Sequence, residues 1–138
     1  MLALGDLLTQ VQRKARVVQI IFNNESLDFV NIEQQEAGMV PFGVDFKNPN
    51  FARVAEAMGA KGIRLEDPGD VKEALSEALA YKDGPVVVDA VVDRFALSLP
   101  SHVPLHTAVG YTLSFAKQVL SGHMDSVIKS IEHNVRLI

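Results

Sequence analysis

Two short runs limit the fold more than anything else in the chain. Residues 17–22 (Val17, Val18, Gln19, Ile20, Ile21, Phe22) and residues 86–92 (Val86, Val87, Val88, Asp89, Ala90, Val91, Val92) are apolar at nearly every position. Strands with one wet face alternate polar and apolar residues, whereas near-continuous runs indicate strands buried on both faces of a parallel sheet. Ile63 and Leu65 predict a third, shorter strand. Between these runs the spacing changes to that of helices. Leu4, Leu7, Leu8 and Val11 share one helical face, and Arg13 and Lys14 sit at the end that favours positive charge. Phe51, Val54, Ala55 and Met58 share another, with Asn50 as N-cap and Gly59 as the stop. Val71, Ala74, Leu75, Ala78 and Leu79 follow Asp70 and Glu73, which are spaced as a capping box. Helix and strand alternating with short connections predict an α/β fold, a parallel sheet flanked by helices on both faces.

The remainder divides into a long loop and a tail. Residues 25–50 have weak periodicity, with Gly38, Pro41, Gly43 and Pro49 as breakers. A connection that long is expected to be functional, with a short helix over 27–36. Beyond Asp93 an extended stretch carries Pro100 and Pro104, and helical patterns follow at about 106–121 and 125–137. The expected organisation is an α/β domain over 1–93 and a C-terminal helical extension over 94–138. The first helix, over 2–14, begins without a Ser, Thr, Asp or Asn to cap it.

Charge and composition narrow the function. Thirteen Lys and Arg against seventeen Asp and Glu give a net charge of -4, so no general basic surface exists to hold nucleic acid. No cysteine is present, which removes thiolate metal sites and Cys nucleophiles and fits a cytoplasmic setting. No apolar run is long enough to span a bilayer, and the start MLALGDLLTQ lacks a basic n-region followed by an apolar stretch and cleavage site, so a secreted or membrane-spanning chain is not expected. His102, His106, His123 and His133 are scattered, and Pro104 breaks the one His-x-x-x-His spacing, so a surface or interface role is expected for them. No serine lies in a nucleophile elbow.

In an open α/β sheet ligands bind beyond the carboxyl ends of the strands, which points to Asn23-Asn24-Glu25-Ser26 after the first strand. Taken alone, the Asn pair reads either as a turn or as an oxygen ligand set for a hard cation such as Mg²⁺. The surrounding residues add a resemblance. An apolar strand, Asn23-Asn24, a polar residue, Ser26-Leu27 and then Phe29 resemble the closing half of the thiamin-diphosphate motif, which opens with Gly-Asp-Gly. Gly5-Asp6-Leu7-Leu8, Asn50-Phe51-Ala52-Arg53, Ala55-Glu56-Ala57, the run from Gly84-Pro85 to Asp89, and Ser121-Gly122, Asp125 and Val127-Ile128 extend the likeness along the chain. They resemble the C-terminal domain of the pyruvate oxidase family, in particular its bacterial quinone-reducing members.

That resemblance implies that Asn24 gives its side-chain oxygen and Ser26 its backbone carbonyl to Mg²⁺, which bridges the diphosphate of thiamin diphosphate. It implies that Asn24, Ser26 and Leu27 bind the cofactor, and that Phe29 assists electron transfer toward FAD. From its own position, Phe29 is expected to pack under the loop. The resemblance also places the Gly-Asp-Gly a few positions before Met1, so the fold is expected to lack its first strand and the chain to be inactive alone. Asp6 is no substitute, because it lies within the helical pattern and is followed by Leu7 rather than Gly. The implied whole enzyme decarboxylates pyruvate oxidatively and passes electrons through FAD to a ubiquinone-type acceptor. Its implied partners are the remaining domains, homo-oligomer partners and, through the last helix, a lipid surface on the inner face of the cell membrane. That helix carries Val127, Ile128, Ile131, Val135 and Ile138 on one face, opposite Lys129, Glu132 and Arg136, and also reads as an ordinary packed helix. Another thiamin-diphosphate enzyme, such as acetolactate synthase, and a non-catalytic interaction or lipid-surface module are the alternatives.

Overall fold

The computed structural model describes residues 4–96 and 105–135. The expectations for Met1, Leu2, Pro100, His102, Pro104, Arg136 and Ile138, and for the side chains of Leu4, His106 and Val135, lie outside the described residues. The elements in chain order are α1 (Leu4–Arg13), β1 (Val18–Asn23), α2 (Asp28–Glu36), α3 (Phe51–Ala57), β2 (Lys61–Leu65), a 3-10 turn (Pro68–Asp70), α4 (Val71–Ala80), β3 (Val86–Val91), α5 (Leu105–Leu120) and α6 (Met124–Val135). They form two compact units: Met1–Asn24 with Lys47–Val92, and Glu25–Phe46 with Asp93–Ile138.

The first unit is a three-stranded parallel sheet in the order β1-β3-β2, with helices on both faces. Val18 lies opposite Val86 and Asn23 opposite Val91, while Lys61 and Leu65 of β2 face Val86 and Ala90. Side chains alternate across a strand, so β3 serves both faces. Val87 packs with Leu7 of α1 and Ala55 of α3, and Val86 and Val88 pack with Ala78 of α4. Gly62 lets α3 approach, because a Cβ there would lie 2.2 Å from the Ala52 carbonyl oxygen.

Two local expectations change. Among the described strands, β3 alone is buried on both faces. In β1, Ile20 and Phe22 are exposed, Phe22 to 73%. The reason is position: β1 is a sheet edge, and the cluster under α4 takes in Val18 but not Ile20 or Phe22. The second change concerns the capping box. Asp67, not Asp70, accepts a cap bond, from the Gly69 N–H at 2.7 Å, and Asp70 already has helical backbone angles and makes no cap bond. Pro68 starts the turn early, since its fixed φ suits a first helical position. Asn50 does cap α3, its side chain accepting from the Arg53 N–H at 2.9 Å, and Gly59 ends that segment at φ +87°.

The second unit is helical. Gly110 of α5 meets the end of α2 so closely that a Cβ would lie 1.8 Å from the Glu36 carbonyl oxygen. Lys117 Nζ donates to the Gly38 carbonyl at 2.8 Å and Ser114 Oγ to the Met39 carbonyl at 2.6 Å, which tie α5 to the segment after α2.

Candidate functional site

Asn23 and Asn24 sit at the carboxyl end of β1 and differ in surroundings. Asn23 is buried and fully engaged. Its Nδ2 donates to Asp89 Oδ1 at 3.0 Å, its Oδ1 accepts from Asn48 Nδ2 at 2.9 Å, and its carbonyl accepts from the Val92 N–H at 3.1 Å. Asn24, the next residue, is half-buried where the chain leaves the sheet. Of the two, Asn23 is thus the one built into the sheet.

The network centres on a carboxylate in the middle of the sheet. Asp89 is 0% exposed. Its Oδ2 accepts from the Phe51 N–H at 2.8 Å, at the first turn of α3, and from Arg64 Nη1 at 2.5 Å. Arg64 also pairs with Glu66 at 2.9 Å. The Glu66 hydrogen bond raises the Arg64 pKa, burial lowers it, and Asp89 raises it further, for a net upward shift. A buried charge persists only when it is paired and hydrogen-bonded, which these donors achieve. The sequence signal for this centre is the one charged residue within the otherwise apolar run 86–92; Asn48, in the irregular stretch, carries no such signal.

Ser26, Leu27 and Phe29 belong to the second unit, which opens at Glu25. Glu25 has φ +55°, in the left-handed region that non-glycine residues seldom adopt. Its carbonyl accepts from the Phe46 N–H at 2.9 Å, Ser26 forms an antiparallel bridge with Asp45, and the Leu27 N–H donates to the Val44 carbonyl at 2.9 Å. This pairing clamps the start of α2 against residues 44–46. Phe29 does not pack under the loop: it is 76% exposed, and Leu27 and Val30 are exposed beside it in sequence. The first turn of α2 thus displays bare apolar side chains, as an apolar ring contact or an interface requires.

The same unit holds a cavity of about 260 Å³ whose lining includes Asn31, Gln35, Asp45, Arg94, Gln118 and His123, and none of Asn24, Ser26, Leu27 or Phe29. Several of its polar groups are already matched: Arg94 with Asp45, Gln35 with Asn31, and Gln118 with Ser114. His123 Nδ1 lies 3.1 Å from Ser121 Oγ, and His133 pairs with Asp93. Among the described residues no three His, Asp or Glu side chains cluster as a metal site. The oxygens of residues 23–26 at the end of β1 are of a different kind and include two neutral side-chain amides and the backbone carbonyls.

The family comparison covers this turn. Residues 1–90 match the model of the thiamine pyrophosphate enzyme C-terminal TPP binding domain. The chain belongs to that family. Among curated relatives, the putative thiamine pyrophosphate-containing protein YdaP of Bacillus subtilis is 31% identical over 134 residues, 95% of this chain and 23% of that protein. Acetolactate synthase of the same organism is 34% identical over 88 residues, covering 64% of this chain and 15% of the synthase. Pyruvate oxidase of Lactiplantibacillus plantarum is 28% identical over 93 residues, 66% of this chain and 15% of the oxidase. The chain thus spans less than a quarter of the length of these relatives. A TPP-binding domain agrees with the α/β fold and parallel sheet, and with thiamin diphosphate as the cofactor of the enzymes it resembles.

Proposed function

We propose that this chain supplies the diphosphate side of a thiamin-diphosphate site, with Asn24 and Ser26 holding Mg²⁺ against the diphosphate. The observation that supports it most is the match of residues 1–90 to the TPP-binding family, which takes in Asn24 and Ser26 where the chain leaves β1. The fit is chemical. Mg²⁺ takes hard oxygen ligands and keeps several from water and phosphate, so one amide and one carbonyl suffice as part of a set. Leu27 and Phe29 are proposed to lie toward the rings, Phe29 on the path of electrons to FAD, and their exposure supports that role. When bound, thiamin diphosphate supplies the electron sink for cleaving a 2-keto acid, and the protein orients it.

The proposed substrate of the whole enzyme is pyruvate, with electrons passing through FAD to a quinone; the likeness to pyruvate oxidase supports it. The likeness to acetolactate synthase supports a second reading, carboligation of the same keto acid. Assays for acetate and acetolactate on a full-length parent separate the two. A lipid surface is the proposed partner of α6, supported by exposed Met124, Ile128 and Ile131 at helical spacing. No helix among the described residues is long and apolar enough to cross a membrane.

Calorimetric titration tests the cofactor reading. Mg²⁺ with thiamin diphosphate should give saturable heat that disappears with chelator and in Asn24→Ala. Heat unchanged by chelator or by that substitution contradicts it.

A further inference from the structure

Asp89 is more than the sheet needs. A valine at that position would continue the apolar run, whereas a buried carboxylate carries a desolvation cost that only its donors offset. How its two oxygens are divided indicates the role. Oδ2 serves the Phe51 N–H and Arg64, contacts that secure α3 and β2. Oδ1 accepts from Asn23. A carboxylate only accepts, so the NH₂ of Asn23 must face it. The Asn23 carbonyl oxygen must then face Asn48, whose own NH₂ completes the line at 2.9 Å. One fixed charge thereby sets the orientation of two amides that could otherwise flip. With the Val92 bond to its carbonyl, Asn23 is pinned at three atoms in the residue before Asn24.

We propose that Asp89 is the positioning residue of the Asn23-Asn24 turn, orienting Asn23 so that Asn24 leaves the sheet in one fixed direction. This rests on the reading that Asn24 faces the cofactor, and it adds to that reading the residue that presents Asn24 before any ligand arrives. With an amide at position 89, the line loses its fixed polarity. Exchanging the two residues, as Asn23→Asp with Asp89→Asn, restores it. In that double variant the amide at position 89 donates to the carboxylate at position 23 and still accepts from the Phe51 N–H and Arg64, and the relocated carboxylate accepts from Asn48.

Side-chain amide NMR of the ligand-free 138-residue chain tests this, with melting temperature recorded alongside. Asp89→Asn should split or broaden the Asn24 NH₂ signals, and the double exchange should return them to the wild-type positions. Arg64→Gln should lower the melting temperature yet leave the Asn24 signals in place, because Oδ1 is untouched. Unchanged Asn24 signals in folded Asp89→Asn, or equal changes in Arg64→Gln, overturn the proposal. If Asp89→Asn does not fold, the double exchange decides: wild-type Asn24 signals support the proposal, and altered signals or an unfolded chain overturn it. Mg²⁺ with thiamin diphosphate is then titrated into the wild-type chain. Absence of any shift there counts against the cofactor reading and leaves the ligand-free result standing.

Discussion

The sheet unit and the helical unit bury opposite kinds of side chain. The sheet unit fills its interior with Leu7, Phe51, Ala55, Ala78, Val86, Val87 and Val88, and admits one buried carboxylate, Asp89, and one buried amide, Asn23. Among the described residues the helical unit buries Gln35, Thr107, Ser114 and Gln118 beside Ile32, Val44 and Val127, while Phe42, Leu105 and Leu120 stand exposed, Leu120 to 88%. An interior of apolar strands gains stability roughly in proportion to the area removed from water. An interior of amides and hydroxyls depends on each partner being present, because an unmatched buried group costs more than a matched one contributes. Position in the sheet unit is thus fixed by burial and register, in the helical unit by individual hydrogen bonds, and in both by close backbone approach.

The largest expected effects come from that close approach. Gly110→Ala puts a methyl group 1.8 Å from the Glu36 carbonyl oxygen, and Gly62→Ala puts one 2.2 Å from that of Ala52. Backbone cannot yield as a flexible side chain can, so each should cost about 3 kcal/mol, the upper end for overpacking. Hydrogen exchange should show protection lost first in α2 and α5 for Gly110→Ala, and first in α3 and β2 for Gly62→Ala. Uniform loss in both variants would break the distinction between the units.

Next come the two interiors themselves. Val88→Ala removes two buried methyl groups and should cost about 2 kcal/mol. Ser114→Ala removes far less apolar surface, but it strands the Met39 carbonyl and the Gln118 amide and should cost about 1–3 kcal/mol. Chemical denaturation checks both, and a neutral Ser114→Ala would show that the helical interior does not depend on its hydrogen bonds.

Smaller effects follow from pH, and both groups lie in the helical unit. Burial pushes the Tyr111 hydroxyl up to about 12, helped by the nearby charge of Glu36, and that hydroxyl has no hydrogen-bond partner among the described residues. The folded state favours the neutral phenol, so this contribution is complete below pH 10 and is lost as pH rises through about 12. Ultraviolet titration should find a phenolate that forms only well above pH 10. For Asp93, burial acts upward, but the Phe95 N–H and His133 outweigh it and leave the carboxyl below its usual 3.8. That contribution is present above pH 3.8 and fades as pH falls below it. His133→Gln should weaken this acid sensitivity in melting curves between about pH 2 and 5.

The same contrast explains what could be read in advance. Helices and strands of the sheet unit follow from periodicity, because apolar residues at fixed spacing are what that unit buries. Asn50 as a cap was equally legible, since its neighbours need nothing else from it. Asp70 was not, because Pro68 moved the start of the turn. The exposure of Phe22 was hidden as well, since an apolar run has the same appearance at a sheet edge and at its centre. At the candidate site, the Asn pair and its place after a strand were visible, but its internal asymmetry was not. How Asn23 is held depends on Asp89 and Asn48, 66 and 25 residues away along the chain.

Broadening by Mn²⁺, used in place of Mg²⁺ in the presence of thiamin diphosphate, tests most directly that this turn is the diphosphate side of the site. Amide signals of Asn24 and Ser26 should fade first, only when thiamin diphosphate is present, and should persist in Asn24→Ala. Broadening that needs no thiamin diphosphate, or that begins at surface carboxylates such as Asp45 or Glu66 and spares Asn24, would contradict it.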